Sequence, residues 1–253
     1  MATADLPPPD LLAIQAGWLA PARRWLLERA NLSSRRAVLD LGCGSGAVTV
    51  ELAQGSGGLV VALDRQWGAL SESPAAFGGA GPLCADAGRL PLAGGAFDLV
   101  FCQLALLWMP LDLTLVEVWR VLEPGGVLVA LEPDYGGMIE YPPGVATRDL
   151  WADGLRRAGA DPRVGRKLPG ALAQLGFAVH VNLFNELLPP SPTRFELLRG
   201  LPLTPSELRR LARAEAAAQA MTLPWQQVAH LPFMLVTATK PDTRAASRAT
   251  ASS

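Results

Sequence analysis

The chain has 253 residues, half of them apolar, and a formal net charge of −1. That length can bury one full core, so one domain with additions is expected, and the near-zero charge argues against general electrostatic capture of nucleic acid or an anionic membrane. No apolar run reaches the length of a membrane span, and residues 1–10, MATADLPPPD, lack the basic flank and apolar core of a signal peptide, so a soluble cytoplasmic protein is expected.

In chain order, a proline-rich start gives way at Leu11–Ala30 to one or two amphipathic helices carrying Leu12, Trp18, Leu19, Trp25 and Leu26, with Pro21 as the interruption. Val38–Leu41 then read as a short buried strand. It stops where Gly42, Cys43, Gly44, Ser45 and Gly46 take over, and helical spacing resumes at Val48, Leu52 and Ala53. Glycines in such a turn let a ligand approach the backbone, and the free amides at a helix start favour a polar or anionic group. Gly42, Gly44 and Ala47 also satisfy the dinucleotide fingerprint, with Asp64 where a ribose-binding acid belongs, so a nicotinamide oxidoreductase stands as an alternative at this point. A tight turn with no ligand is the plainer alternative.

Leu59–Leu63 form a second strand ending at Asp64, Pro82–Ala85 a weak third ending at Asp86, and Ala96–Cys102 a fourth ending at Gln103. Leu113–Leu122 spell a helix stopped by Pro124-Gly125-Gly126, and Val127–Leu131 a fifth strand ending at Glu132-Pro133-Asp134. Strands alternating with helices mean an α/β fold with a mostly parallel sheet covered on both faces. Ligands bind outside the carboxyl ends of such strands, which brings Gly42–Gly46, Asp64, Asp86, Gln103 and Glu132–Tyr135 to one crevice.

Beyond the fifth strand, Arg148–Ala158 and Lys167–Leu175 look helical and Ala178–Phe184 make a strand. An excursion at 185–232 follows, in which Thr204-Pro205-Ser206-Glu207 is a capping box opening a helix to about Ala220. A lid, a substrate wall or an oligomer contact would each suit so long an insertion. Phe233–Thr239 supply the last strand, and 241–253 read as a disordered tail, leaving one domain at 1–240 with its core at 36–135. Cys43, Cys84 and Cys102 are spaced for neither a zinc site nor a disulfide framework, so reduced thiols and no metal are expected.

Five segments in register resemble the class I S-adenosylmethionine-dependent methyltransferases, close to the methyltransferase type 11 group of small-molecule enzymes. They are VLDLGCGSG at 38–46, VVALDR at 60–65, CADAGRLPL at 84–92, FDLVFCQLALLWM at 97–109 and VWRVLEPGGVLVALEP at 118–133. The resemblance implies a Rossmann-like sheet of seven strands in the order 3-2-1-4-5-7-6 with strand 7 antiparallel, Phe233–Thr239 filling that role beside Ala178–Phe184. It implies S-adenosyl-L-methionine as cofactor. Gly42, Cys43, Gly44 and Gly46 would lie along its methionine part, Asp40 would support their loop, Asp64 would hold the ribose hydroxyls, Arg65 would flank the adenine, Asp86 and the Ala87 amide would meet the ring, and Gln103 with Leu104 would border the sulfonium.

Methyl transfer is an in-line displacement that positioning alone can promote, with a base added where the acceptor is a hydroxyl or acidic carbon. The candidate bases are Glu132, Asp134, Tyr135, Glu140 and Tyr141; the plainer account of that segment is a polar loop whose acids cap amides. Trp108, Tyr135 and Tyr141 are the candidate acceptor contacts, and a planar, quinone-like metabolite is one such acceptor. His180 reads as a core strand residue and His230 as part of the approach to the last strand. Arg156, Arg157, Arg163, Arg166 and Lys167 read as a solvated helical face before a steering patch. RNA or protein as acceptor, and a non-catalytic module that binds S-adenosylmethionine, are the other readings carried forward.

Overall fold

The computed structural model describes residues 8–71, 77–184, 186–223 and 225–242. Two helices open it, α1 (Pro9–Trp18) and α2 (Ala20–Arg29). They meet at Leu19, and Pro21 sits in the first turn of α2, where its missing N–H costs nothing. Strand β1 (Ala37–Leu41), helix α3 (Thr49–Gly55), β2 (Leu59–Asp64), α4 (Trp67–Ser71), β3 (Gly81–Cys84) and β4 (Phe97–Gln103) alternate as their periodicity predicts. After them come α5 (Leu111–Val121), β5 (Leu122–Pro133), the short β6 (Ile139–Tyr141), α6 (Arg148–Arg157), α7 (Val164–Gln174) and β7 (Ala178–Phe184). Helices α8 (Thr193–Arg199) and α9 (Pro205–Gln219) and strands β8 (Val228–His230) and β9 (Phe233–Thr239) complete the described chain.

The main sheet has seven strands in the order β3-β2-β1-β4-β5-β9-β7. Pairings from β3 to β5 are parallel, while β9 runs antiparallel to both β5 and β7. This is the expected order, with β7 as sixth and β9 as seventh strand of that sheet. Strand alternation sends successive side chains to opposite faces. Val38, Leu99, Phe101, Val127 and Val129 pack with α2 and α3 on one face, and Leu39, Leu41, Val100, Cys102, Leu128 and Ala130 pack with α5, α6 and α7 on the other. The same alternation sets where polar residues go: Gln103 belongs to the first face and Glu132 to the second.

Several expectations are corrected. Pro124-Gly125-Gly126 does not separate α5 from a strand; β5 begins at Leu122, and its pairing with β4 shifts register between Phe97↔Leu122 and Leu99↔Val127. The segment after β5 is not a plain loop, since Ile139–Tyr141 pair antiparallel with Val228–His230, placing His230 in a second, two-stranded sheet. His180 is exposed on the edge strand β7 instead of buried in the core. Arg156, Arg157, Arg166 and Lys167 pair with Asp153, Glu207, Asp134 and Asp161, respectively. In the excursion, the Thr204 capping box is present, with Glu207 N–H donating to Thr204 Oγ1 and Thr204 N–H to Glu207 Oε2. Most of the expected tail, 243–253, lies outside the described residues, as do 1–7 of the proline-rich start. No helix among the described residues is long and apolar enough to cross a membrane.

Candidate active site

A cavity of about 700 Å³ opens at the carboxyl ends of β1, β2, β3 and β4 and continues beneath α6 and α8. Sites that enclose drug-sized ligands have this size. One half is built from backbone and acids: Asp40, Gly42, Cys43, Gly44, Asp64, Arg65, Asp86, Ala87, Gln103 and Leu104 all line it, together with Leu12, Gln15 and Ala16 of the N-terminal helix. Gly46 has the same left-handed backbone as Gly42 and Gly44 but stands behind the wall that Ser45 and Ala47 complete.

The turn after β1 requires glycine first at Gly42. Its φ is +79°, and a Cβ there would lie 2.4 Å from the Cβ of Ala105. No side chain fits. The turn is tied down from behind: Thr49 Oγ1 donates to Asp40 Oδ2 at 2.6 Å, and Gly44 N–H donates to Asp64 Oδ2 at 3.0 Å. Asp64 Oδ1 accepts from Gln66 N–H at 2.9 Å, which leaves further lone pairs of the same carboxylate for a ligand's hydroxyls. Asp86 Oδ1 accepts from Gly88 N–H at 2.7 Å.

The tip of β4 is held in a costly conformation. Leu104 has φ +57°, and a non-glycine residue there costs about 1–2 kcal/mol. Two groups compensate. Leu104 N–H donates to Leu131 O at 3.0 Å, and Glu132 Oε1 accepts from the Ala105 and Leu106 amides at 3.1 and 2.9 Å. Glu132 is fully buried, lies outside the cavity wall, and its Oε2 has no partner. It is therefore a residue that positions Gln103 and Leu104. Asp134 is likewise engaged elsewhere, accepting from Arg166 Nε at 2.8 Å and from Gly136 N–H, and Glu140 accepts from Thr147 and Arg148. Tyr141 is 63% exposed on β6 and does not line the cavity. Of the candidates read after β5, Tyr135 alone reaches it.

Burial raises the carboxyls of Asp40 and Glu132 to about 7; for Glu132, desolvation outweighs the amides that favour its ionised form. The Cys43 and Tyr135 protons are held above their usual range for the same reason, so both stay protonated at neutral pH. The Glu132 proton has a stability consequence. An unfolded Glu titrates near 4.5 and the folded one at about 7, so the folded state binds the extra proton between these values. Its contribution is largest below the lower value, declines as pH rises through the window, and is lost above it, a change of at most about 3 kcal/mol. Thermal melts from pH 5 to 8 should show a falling midpoint, and Glu132→Gln should fall distinctly less; identical slopes would contradict this.

Arg23 belongs to this site although its sequence position did not single it out. It is buried, donates from Nε and Nη2 to Glu51 Oε2 at 2.9 and 2.6 Å, and donates from Nη1 to Gln103 Oε1 at 3.0 Å. It locks α2 to α3 and fixes the Gln103 amide at the cavity. The signal was present: Arg23 stands on the same helical face as Leu19, Leu26 and Leu27, where a cation has no reason to be unless paired.

The far half of the cavity is apolar and aromatic. Leu107 and Trp108 after β4, Tyr135 after β5, Trp151, Leu155 and Ala158 of α6, and Glu196, Leu197, Gly200, Leu201 and Pro202 of α8 and its exit form it. Tyr135 and Trp151 lie with ring centroids 5.1 Å apart. The excursion thus contributes a wall to the cavity through α8, while α9 packs behind.

Residues 39–130 match the family described as "Methyltransferase domain". That segment of the chain is thus similar to methyltransferase domains. Over 127 residues it is 38% identical to a malonyl-[acyl-carrier protein] O-methyltransferase of Methylovorus sp. (strain MP688), covering 44% of this chain and 43% of that protein. The chain thus aligns with less than half the length of such relatives. Among solved structures, the YcgJ protein of Bacillus subtilis superposes with a TM-score of 0.63 at 15% identity, covering 86% of this chain and 97% of that one. Geranyl diphosphate C-methyltransferase of Streptomyces coelicolor A3(2), solved with S-adenosyl-L-homocysteine, gives a TM-score of 0.54 at 14% identity, covering 87% and 77%. These two likenesses concern the fold.

The methyltransferase cofactor fits the residues present. The side-chain-free turn at Gly42 and Gly44 leaves room along the wall, and three carboxylates, Asp40, Asp64 and Asp86, suit a ligand with hydroxyls, an amino group and a positive sulfur. Among the described residues lining the cavity, Arg65 is the one cation.

Proposed function

We propose that the protein transfers a methyl group from S-adenosylmethionine to a small-molecule acceptor held in the aromatic half of the cavity. The observation that carries this reading is the continuity of the cavity, from the Gly42 turn and Asp64 to Trp108, Tyr135 and Trp151. Asp64 would hold the ribose hydroxyls, Asp86 and Ala87 the adenine, Arg65 its flank, and Gln103 with Leu104 the sulfonium end. Gly42, Cys43, Gly44 and Gly46 would line or shape the methionine end, with Asp40 supporting their turn.

When bound, the cofactor supplies a methyl carbon on a positive sulfur, whose bond to sulfur breaks as the acceptor's lone pair bonds to that carbon. The chain's own contribution is placement and dryness. Arg23 fixes the Gln103 side chain, and Glu132 fixes the backbone turn beside it, so the border between the two halves is rigid. Leu11, Leu12 and Ala16 on one side and Leu197, Leu201 and Pro202 on the other contribute apolar walls that limit water access. No carboxylate of the β5 exit is free in the cavity, so neither Glu132 nor Asp134 stands there as a base. Enclosure also favours a small acceptor over RNA or protein.

Tyr135 is the polar group of the acceptor half whose proton is kept. Its hydroxyl makes no hydrogen bond within the described structure, so Tyr135→Phe should leave the melting temperature nearly unchanged. It should raise the acceptor's KM or lower kcat by about tenfold, the worth of one hydrogen bond to a buried group, while S-adenosylmethionine affinity is retained. The reading itself is tested by calorimetry with S-adenosylmethionine and with NADH, followed by incubation with labelled cofactor and a metabolite extract. Binding of NADH alone, or cofactor binding without label transfer to any acceptor, would refute it, the second outcome favouring a non-catalytic binding module.

A further inference from the structure

Resting on the methyl-transfer reading, we propose that the acceptor is an aromatic or otherwise apolar molecule bearing a basic nitrogen, and that Glu196 pairs with that nitrogen as the residue deciding specificity. Three observations converge on this. The first is charge. Among the described residues lining the cavity, Arg65 is the one cation, and it follows β2 beside Asp64, in the cofactor half. The acceptor half has a carboxylate, Glu196, and no cation. The arginines around it are engaged: on the same helix Arg194 donates to Gln227 and Arg199 pairs with Glu215, and behind the wall Arg157 is held by Glu207 and the Pro202 carbonyl.

The second is the state of Glu196 itself. It stands in the first turns of α8 at the exposed rim of the cavity, next to the buried Leu197, and its carboxylate, open to solvent and to an entering ligand, makes no hydrogen bond or ion pair among the described residues. The other acids lining the cavity, by contrast, have donors: Asp40 has Thr49, Asp64 has Gly44 and Gln66, and Asp86 has Gly88.

The third is the aromatic lining. Trp108, Tyr135 and Trp151 line the same half, the last two with ring centroids 5.1 Å apart. A cationic nitrogen is attracted by such faces as well as by the acid, whereas a carboxylate would meet an aromatic quadrupole and a like charge in a partly dry chamber. Rejection of acids would therefore come from repulsion as much as selection of amines comes from attraction. The family match ends at residue 130, before Tyr135, Trp151 and Glu196, so it says nothing of these walls.

The test uses the full chain loaded with S-adenosylhomocysteine and three probes sharing one ring: tryptamine, 3-methylindole and indole-3-propionate, titrated at pH 7. Tryptamine should bind about tenfold more tightly than indole-3-propionate, as a charge-assisted contact at a half-open site predicts. Glu196→Gln should erase most of that preference and Glu196→Lys should reverse it, both with unchanged affinity for S-adenosylhomocysteine. The proposal is overturned if indole-3-propionate binds as tightly as tryptamine, if the preference survives in Glu196→Gln, or if none of the three binds the loaded protein. Failure of the wild-type protein to bind S-adenosylhomocysteine at all would instead overturn the methyl-transfer reading.

Discussion

Gly42→Ala should melt about 10 °C below the wild-type protein and lose measurable affinity for S-adenosylmethionine. Two costs add. An alanine at φ +79° is strained by about 1–2 kcal/mol, and its Cβ would be driven to 2.4 Å from the Cβ of Ala105. Relieving that overlap by backbone movement costs about 1–3 kcal/mol more, and for a chain of this size each kcal/mol lowers the midpoint by about 2–4 °C. The overlap can be removed separately. In the Gly42→Ala, Ala105→Gly double variant the Cβ of Ala105 is gone, so about half of the lost stability should return, leaving the φ strain. A melt of Gly42→Ala within about 2 °C of wild type, with normal cofactor affinity, would show that close approach of the β1 and β4 turns is not what demands glycine there.

Asp64→Ala should weaken S-adenosylmethionine binding on the order of 100-fold, roughly 3 kcal/mol, the worth of charge-assisted hydrogen bonds to two hydroxyls. Asp64 also receives the Gly44 and Gln66 amides, at 3.0 and 2.9 Å, so part of the loss would reflect a looser turn. The two parts separate by comparison with 5′-methylthioadenosine, which keeps the ribose but lacks the methionine carboxyl end. If the ribose contact dominates, both ligands weaken by similar factors. If the turn dominates, S-adenosylmethionine suffers far more. Unchanged affinity for S-adenosylmethionine in Asp64→Ala would remove Asp64 from the site altogether.

The convergence of the strand tips on one cavity was readable from the sequence because it is made of local signals. A strand that ends in glycines and an acid at the tip of the next strand are neighbours in sequence as well as in space, and the parallel sheet puts every such tip at one edge. Gly42, Asp64, Asp86 and Gln103 met in the cavity for that reason. Arg23 escaped notice although its place on an apolar helical face was visible, because its partners Glu51 and Gln103 lie 28 and 80 residues away. Glu132 looked like a candidate base at a strand tip; strand alternation turned its side chain to the face opposite that of Gln103, where it binds amides instead.

The residues alone carried the alternation of strands and helices and the convergence of the strand tips on one crevice, which follow from periodicity and from local backbone requirements; the strand order came from the resemblance of five segments to a known family. Tertiary structure alone decided the acceptor wall. Trp151, Leu155, Leu197 and Leu201 carry the same helical spacing as any core residue, and only the packing of α6 beside α8 shows that they border a cavity. It also decided which of several exposed or apparently available acids stands there without a partner. Pairing of charges across distant segments is a property of the folded surface, and no spacing along the chain records it.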